Sequence, residues 1–193
     1  MLNIVIFGPP GAGKGTQSGN LIEKYNLVHI STGDLFRMHI ATQTELGKKV
    51  KNLLDNGILV PDSVTIDMLE EEVQKNPQAQ GFIFDGFPRT VPQAEALDKF
   101  LESKNTAIQA VIKLDVPEEE LKLRIEKRRE IEKRPDDDKL LKRMEEYFTK
   151  TIHVLPYYEA QGKVAVVNGI GEIGTIFTTI CEKIEELREQ FSV

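Results

Sequence analysis

Residues 8–16 read Gly8-Pro9-Pro10-Gly11-Ala12-Gly13-Lys14-Gly15-Thr16, directly after the apolar run Leu2–Phe7 and directly before a helix-like segment. A glycine-rich turn in that place lets consecutive backbone N–H groups converge on phosphate oxygens without side-chain obstruction. The helix that follows adds its own unpaired N–H groups and the positive end of its dipole. Lys14 is then placed to reach the outer phosphates of a nucleotide. The strict pattern has Ser or Thr straight after the lysine; here Gly15 occupies that place and Thr16 follows. The bland alternative is a Gly/Pro-rich surface turn, and the strand–turn–helix context weighs against it. Alone, the motif means a bound nucleotide phosphate and no particular reaction.

The loop demands a buried strand and a helix, and the rest of the chain repeats that alternation. Residues 2–7, 27–30, 82–84, 108–114 and 164–168 read as strands. Helices are expected at about 14–25, 33–42, 45–56, 63–75, 91–104, 117–129 and 172–190, with a long helical region containing Pro156 before the fifth strand. Thr44 reads as an N-cap, Gly57 as the residue just past a helix, and Asp62 as an N-cap after Pro61; Pro117 is expected in a first helical turn. Such alternation predicts an α/β fold, a mainly parallel five-stranded sheet with helices on both faces. Three helices between the second and third strands, where one would do, suggest an insertion at about 31–62. The charged 130–138 segment suggests a second, shorter one. The length of 193 residues suits one domain.

A net charge of −6 and a pI near 5.2 argue against nonspecific nucleic-acid binding. The single cysteine, Cys181, leaves no internal disulfide and no Cys-based zinc site, and suits a reducing compartment. The apolar N-terminal run has no basic leader and is too short for a signal peptide, and no stretch reaches membrane-spanning length. A cytoplasmic protein with no membrane partner is expected. Its positive charge is concentrated: of eight arginines, Arg124, Arg128, Arg129, Arg134 and Arg143 fall in one stretch of twenty residues.

Two further motifs stand out. Gly81-Phe82-Ile83-Phe84-Asp85-Gly86-Phe87-Pro88-Arg89-Thr90 is an apolar strand ending in a carboxylate, which the sheet would place beside the phosphate loop. There Asp85 can hold Mg²⁺ through water, since that ion keeps much of its hydration. Asp-Gly is also a hairpin signal, but no alternating strand follows. Ser31-Thr32-Gly33-Asp34-Leu35-Phe36-Arg37 reads by itself as a helix N-terminus with Arg37 solvated. Asp34 is open between a helix-dipole partner and a second ligand to Mg²⁺-bound water. Arg124 and Arg128 share a helix face, where Glu120 can pair with Arg124 in a solvated salt bridge. Arg129 reads as surface charge.

Taken together, the Lys-Gly-Thr loop, Thr-Gly-Asp-Leu-x-Arg and Asp-Gly-Phe-Pro-Arg resemble the adenylate kinase family in order and spacing, over essentially the whole chain. The resemblance implies a P-loop NTPase-type core spanning 1–193, with a nucleoside monophosphate-binding subdomain at 31–60 and a short lid at 129–138. It implies Mg²⁺-dependent phosphoryl transfer from ATP to AMP, giving two ADP. Carried over by position, Gly11, Ala12, Gly13, Lys14, Gly15, Thr16, Arg124 and Arg128 look like ATP-binding residues, with Arg124 packing on adenine. Thr32, Arg37, Gly57, Leu59, Val60, Gly86, Arg89, Gln93, Arg134 and Arg143 look like the AMP site. In that site Arg37 and Arg89 would grip phosphate, Thr32 and Gln93 would face the base, and Gly81 and Phe82 would add contact. Lys14, Arg89, Arg128, Arg134 and Arg143 would stabilise the transfer. Family members that prefer pyrimidine monophosphates usually carry Ala and Asn where Thr32 and Gln93 stand. The lid departs from the family pattern: Lys133-Arg134-Pro135 replaces a Gly-Arg pair, and the stretch from Arg134 to Arg143 is a couple of residues shorter. A short lid without Cys implies no zinc. A monomer is expected.

ATP and AMP meeting head to head bring together roughly six negative charges near pH 7, of which one Mg²⁺ offsets about two. Arginine suits that load, being always charged and presenting a planar fork to phosphate. No general base is required, because the attacking oxygen belongs to a phosphate already largely dianionic. His29, His39 and His153 accordingly read as structural or surface residues. The rival within the class is a UMP/CMP kinase. The rival outside it is a nucleotide-dependent switch or binding module, which would not explain a second phosphate site at Arg37 and Arg89. A guanine-specific switch would also carry an Asn-Lys-x-Asp reader, absent from this chain.

Overall fold

A computed structural model describes residues 1–56, 60–131 and 140–190, apart from the side chain of Leu54. Leu2–Phe7 forms β1, and all six of its side chains are buried, as expected of a central strand in a parallel sheet. It lies between β3 (Gly81–Asp85) and β4 (Ala110–Asp115). β2 (Val28–Ser31) and β5 (Val164–Asn168) form the edges, in the order β2-β3-β1-β4-β5 with every pairing parallel. The helices in chain order are α1 (Lys14–Tyr25), α2 (Thr32–Ala41), α3 (Glu45–Asp55), α4 (Asp62–Gln74), α5 (Val91–Ser103), α6 (Glu118–Ile131), α7 (Leu140–Thr149), α8 (Leu155–Glu159) and α9 (Ile173–Gln190).

The side chains of β1 divide between two cores with the two-residue period of a strand. Leu2, Ile4 and Ile6 pack with Leu21 of α1, Ile125 of α6 and Ile180 of α9. Val5 and Phe7 face the other way, onto Leu69 of α4 and Leu97 and Leu101 of α5. The helices therefore cover both faces, as the alternation predicted. Asn3 is the one polar residue in β1. Its buried amide is satisfied by Thr106 Oγ1 (3.0 Å), the Ala107 carbonyl (2.9 Å) and the Phe82 N–H (3.2 Å).

Among the described residues of α2 and α3, only Leu35 packs on either core. The two helices hold mainly to each other. Thr44 caps α3 as expected, its Oγ1 accepting from the Gly47 N–H at 3.0 Å while lying 2.9 Å from His39 Nδ1. α4, by contrast, belongs to the core.

Three local expectations are corrected. Asp62 does not cap α4: the helix starts at Asp62 itself, after Pro61, and the carboxylate turns instead toward α5. Pro117 lies just before α6 rather than in its first turn, its carbonyl accepting from the Leu121 N–H at 3.1 Å. The long helical region breaks into α7, a 3₁₀ turn at Thr151–Val154 and α8, with Pro156 in the first turn of α8, where its missing N–H breaks no helical bond. Among the described residues no helix is long and apolar enough to cross a membrane.

The register brings the carboxyl ends of the strands into line. Asp85 lies opposite Ile6 on one side and Ser31 on the other, and Phe7 opposite Lys113. Because the chain passes from β1 to the β2 edge, returns to β3 beside β1, and then crosses to β4 and β5 on the other side, the connections diverge at β1, and this edge is where an open α/β sheet forms its crevice.

Candidate active site

The loop between β1 and α1 is built for an anion. Gly11 and Gly13 hold φ of 86° and 97°, the left-handed region that glycine enters without cost to a side chain. The first turn of α1 carries no acidic residue, which leaves its N–H groups to a ligand. Lys14 Nζ donates to the carbonyls of Gly8 (2.7 Å) and Pro9 (3.2 Å). Burial lowers its pKa to about 8; the Asp85 carboxylate opposes that shift, and Arg143 and Arg89 add to it. Lysine, aspartate and two arginines from four different segments thus share one electrostatic neighbourhood.

Gly86 organises the turn after β3. Its carbonyl accepts from Thr32 Oγ1 at 3.0 Å and from Arg89 Nε at 2.8 Å. Its φ is 75°, and a Cβ there would lie 3.1 Å from Thr32 Oγ1 and 3.3 Å from the Arg89 guanidinium. Arg89 is exposed to solvent, while the protein around it and Arg143 lower its pKa against the pull of Glu146 and Asp85. It stays a cation, as a guanidinium does at any ordinary pH. Asp85 is half-buried with His29 Nε2 at 3.5 Å.

Gln93, on the first turn of α5, is buried and held at both ends of its amide: Oε1 accepts from the Arg89 N–H at 2.8 Å, and Nε2 donates to Asp62 Oδ1 at 2.7 Å. Thr90 caps α5, its Oγ1 accepting from the Gln93 N–H at 3.2 Å and donating to Asp62 Oδ2 at 3.3 Å. Arg37 pairs with Asp34 on the surface of α2. Burial pushes the Asp34 carboxyl up, and Arg37 outweighs it, holding the group below its ordinary value. Val60 is half-buried just before Pro61.

On the other side of the loop, Arg124 does more than pair with Glu120 (2.8 Å). It also donates to the carbonyls of Gly169 (2.7 Å) and Ala12 (3.4 Å), bracing the phosphate loop against the segment after β5. Arg128 is half-buried one turn further along α6. Gly57, Leu59 and Arg134, with most of the 129–138 lid, lie outside the described residues.

The structure thus gathers Lys14, Asp85, Arg89 and Arg143, and joins Thr32, Gly86 and Gln93 to them through Arg89. It gives Arg37 to Asp34. Sequence reasoning did not foresee the contact of the exposed His29 with Asp85, nor the inward turn of Asp62. The parallel register sets Ser31 opposite Asp85, two residues beyond His29, a pairing that only the structure shows. For Mg²⁺, one half-buried carboxylate beside a phosphate-directed lysine fits an ion that keeps its water and is carried mainly by nucleotide phosphates. A protein-only cage does not fit: no group of three His, Cys, Asp or Glu able to hold a metal occurs among the described residues.

A parallel sheet with a phosphate loop at its crevice and a second set of arginines facing it defines a P-loop phosphotransferase, of the class that phosphorylates nucleoside monophosphates. Within that class the chain belongs to the adenylate kinase family, whose sequence profile matches residues 6–163. It is 51% identical over 190 residues to the adenylate kinase of Flavobacterium psychrophilum, covering 97% of this chain and all of the relative. The adenylate kinase of Bacteroides fragilis is 47% identical over 189 residues, and that of Maricaulis maris 46% over 187, each again matched along its whole length and covering 97% and 96% of this chain. The UMP/CMP kinase alternative is not favoured.

Proposed function

We propose that this enzyme transfers the terminal phosphoryl group of MgATP directly to AMP and returns two ADP, by in-line attack of an AMP phosphate oxygen. The observation that carries the reading is the electrostatic convergence of Lys14, Arg89 and Arg143 around Asp85. Burial lowers the Lys14 pKa to about 8, and Arg143 and Arg89 add to the shift against Asp85; cations held together in this way suit a polyanionic ligand.

In this reading Gly11 to Thr16 cradle the ATP phosphates with backbone N–H groups, and Lys14 leaves the Gly8 and Pro9 carbonyls for a phosphate. Arg124 flanks the ATP base while bracing the loop, and Arg128 serves the ATP side. Arg37 exchanges Asp34 for the AMP phosphate, which Arg89 grips from the other side. Thr32, Gly57, Leu59, Val60, Gly86 and Gln93 line the base and ribose. Arg143 and Arg134 approach the transferred group as the 129–138 lid closes and excludes water. Asp85 holds Mg²⁺ through water, with Asp34 as a second candidate once Arg37 leaves it. When bound, that ion supplies charge neutralisation on the phosphates. No side chain needs to remove a proton. A monomer acting in the cytoplasm, on 31–60 and 129–138 as moving parts, completes the proposal; the sparse packing of α2 and α3 on the core supports the first of those parts.

The test is ADP formation from MgATP with AMP, UMP, CMP and GMP offered separately. Activity with AMP well above the others is expected. Preference for a pyrimidine monophosphate would overturn the acceptor assignment, and transfer to none of them would overturn the reaction.

A further inference from the structure

Gln93 and Asp62 form a pair whose hydrogen bonds have only one allowed direction. A backbone N–H can only donate, so the Arg89 N–H at 2.8 Å fixes which end of the Gln93 amide is oxygen. An ionised carboxylate can only accept, so Asp62 Oδ1 at 2.7 Å fixes which end is nitrogen. Asp62 is held in turn by the Thr90 hydroxyl at 3.3 Å, and Thr90 by the Gln93 N–H at 3.2 Å, so the loop of bonds closes on itself. Gln93 is buried, and flipping its amide would set oxygen against carboxylate and NH₂ against N–H, two repulsions in a place with little water. The amide keeps one unused N–H and one unused lone pair, on known ends.

A free glutamine amide reads a base edge poorly, because it rotates to offer a donor or an acceptor on demand. A locked one discriminates. Adenine offers an acceptor at N1 next to a donor at N6; a 6-oxopurine offers the reverse. We infer that Asp62 is a positioning residue for acceptor choice: by locking the Gln93 amide it makes the monophosphate site select a 6-aminopurine over a 6-oxopurine. This rests on the reading that Gln93 faces the acceptor base. Position 62 accounts for its own peculiarity, since an aspartate placed to cap α4 forgoes that role to reach α5.

The experiment compares kcat and KM for AMP and for inosine monophosphate, with MgATP saturating, in Asp62→Ala, Asp62→Asn, Gln93→Ala and the double variant Asp62→Ala/Gln93→Ala. In Asp62→Ala the AMP-over-inosinate ratio of kcat/KM falls by about tenfold, a factor in keeping with losing one charge-assisted hydrogen bond. The loss appears in KM for AMP, with KM for ATP unchanged. Asp62→Asn, which keeps an acceptor but can itself flip, loses less. In the Gln93→Ala background removing Asp62 changes the ratio no further. A merely structural role at the start of α4 would instead lower melting temperature and affect both acceptors alike. If Gln93→Ala lowers the ratio and neither Asp62 variant does, the lock is overturned. If Gln93→Ala leaves the ratio unchanged, the base-facing role of Gln93 is overturned and the lock with it.

Discussion

The hydroxyl of Thr32 donates to the carbonyl of Gly86 at 3.0 Å, tying the first residue of α2 to the turn after β3. The Arg89 guanidinium shares that carbonyl at 2.8 Å, so the start of α2 and Arg89 are tied to a single backbone oxygen.

Gly86→Ala breaks that tie. The new Cβ must accept a φ of 75° and lie 3.1 Å from Thr32 Oγ1. A loss of about 1–2 kcal/mol is expected from the backbone conformation, read as a lower urea midpoint, with a raised KM for AMP. An unchanged midpoint would show that the turn relaxes freely.

Arg89→Ala removes the cation proposed to grip the acceptor phosphate while leaving the phosphate loop intact. KM for AMP should rise or kcat fall by more than a hundredfold, the scale of losing one preorganised charge at a transferring phosphate. Binding of ATP, followed by calorimetry, should change by less than about fivefold, as for a charge at the edge of that site. Equal damage at both sites, with the fold intact, would refute the division.

Lys14→Met abolishes transfer and yet stabilises the nucleotide-free protein. The folded pKa is about 8 against an ordinary 10.5, so the folded state disfavours the charged lysine. That penalty is present in full below pH 8 and fades as pH rises toward 10.5. The melting temperature of the variant should therefore exceed that of the parent at neutral pH, by a margin that narrows in alkali. A lower melting temperature at neutral pH would contradict the burial of Lys14.

The same group predicts proton uptake on binding. Nucleotide phosphates beside Lys14 raise its pKa from about 8, so at about pH 9 ATP binding takes up a proton, and affinity falls as pH rises through that window. Calorimetry in buffers of different ionisation enthalpy measures the uptake directly. The uptake at about pH 9 should fade below pH 8 and be absent in Lys14→Met.

The order of elements, the burial of β1, the phosphate loop and the cap at Thr44 were legible along the chain, because each depends on neighbours a few residues away. An apolar run without polar alternation must be covered on both faces, and a glycine-rich turn between strand and helix presents its own N–H groups. The Glu120–Arg124 pair was legible for the same reason, one helical turn apart. What the chain alone did not disclose was where side chains go when two partners of similar chemistry compete. Asp62 could cap its own helix or reach Gln93. Arg124 could pair only with Glu120 or also brace Gly169. Local sequence offers each of these groups a satisfactory partner. The parallel register and the packing of α4 against α5 decide among them, since a buried polar group takes the partner that tertiary structure brings within about 3 Å and excludes the water that would have served instead.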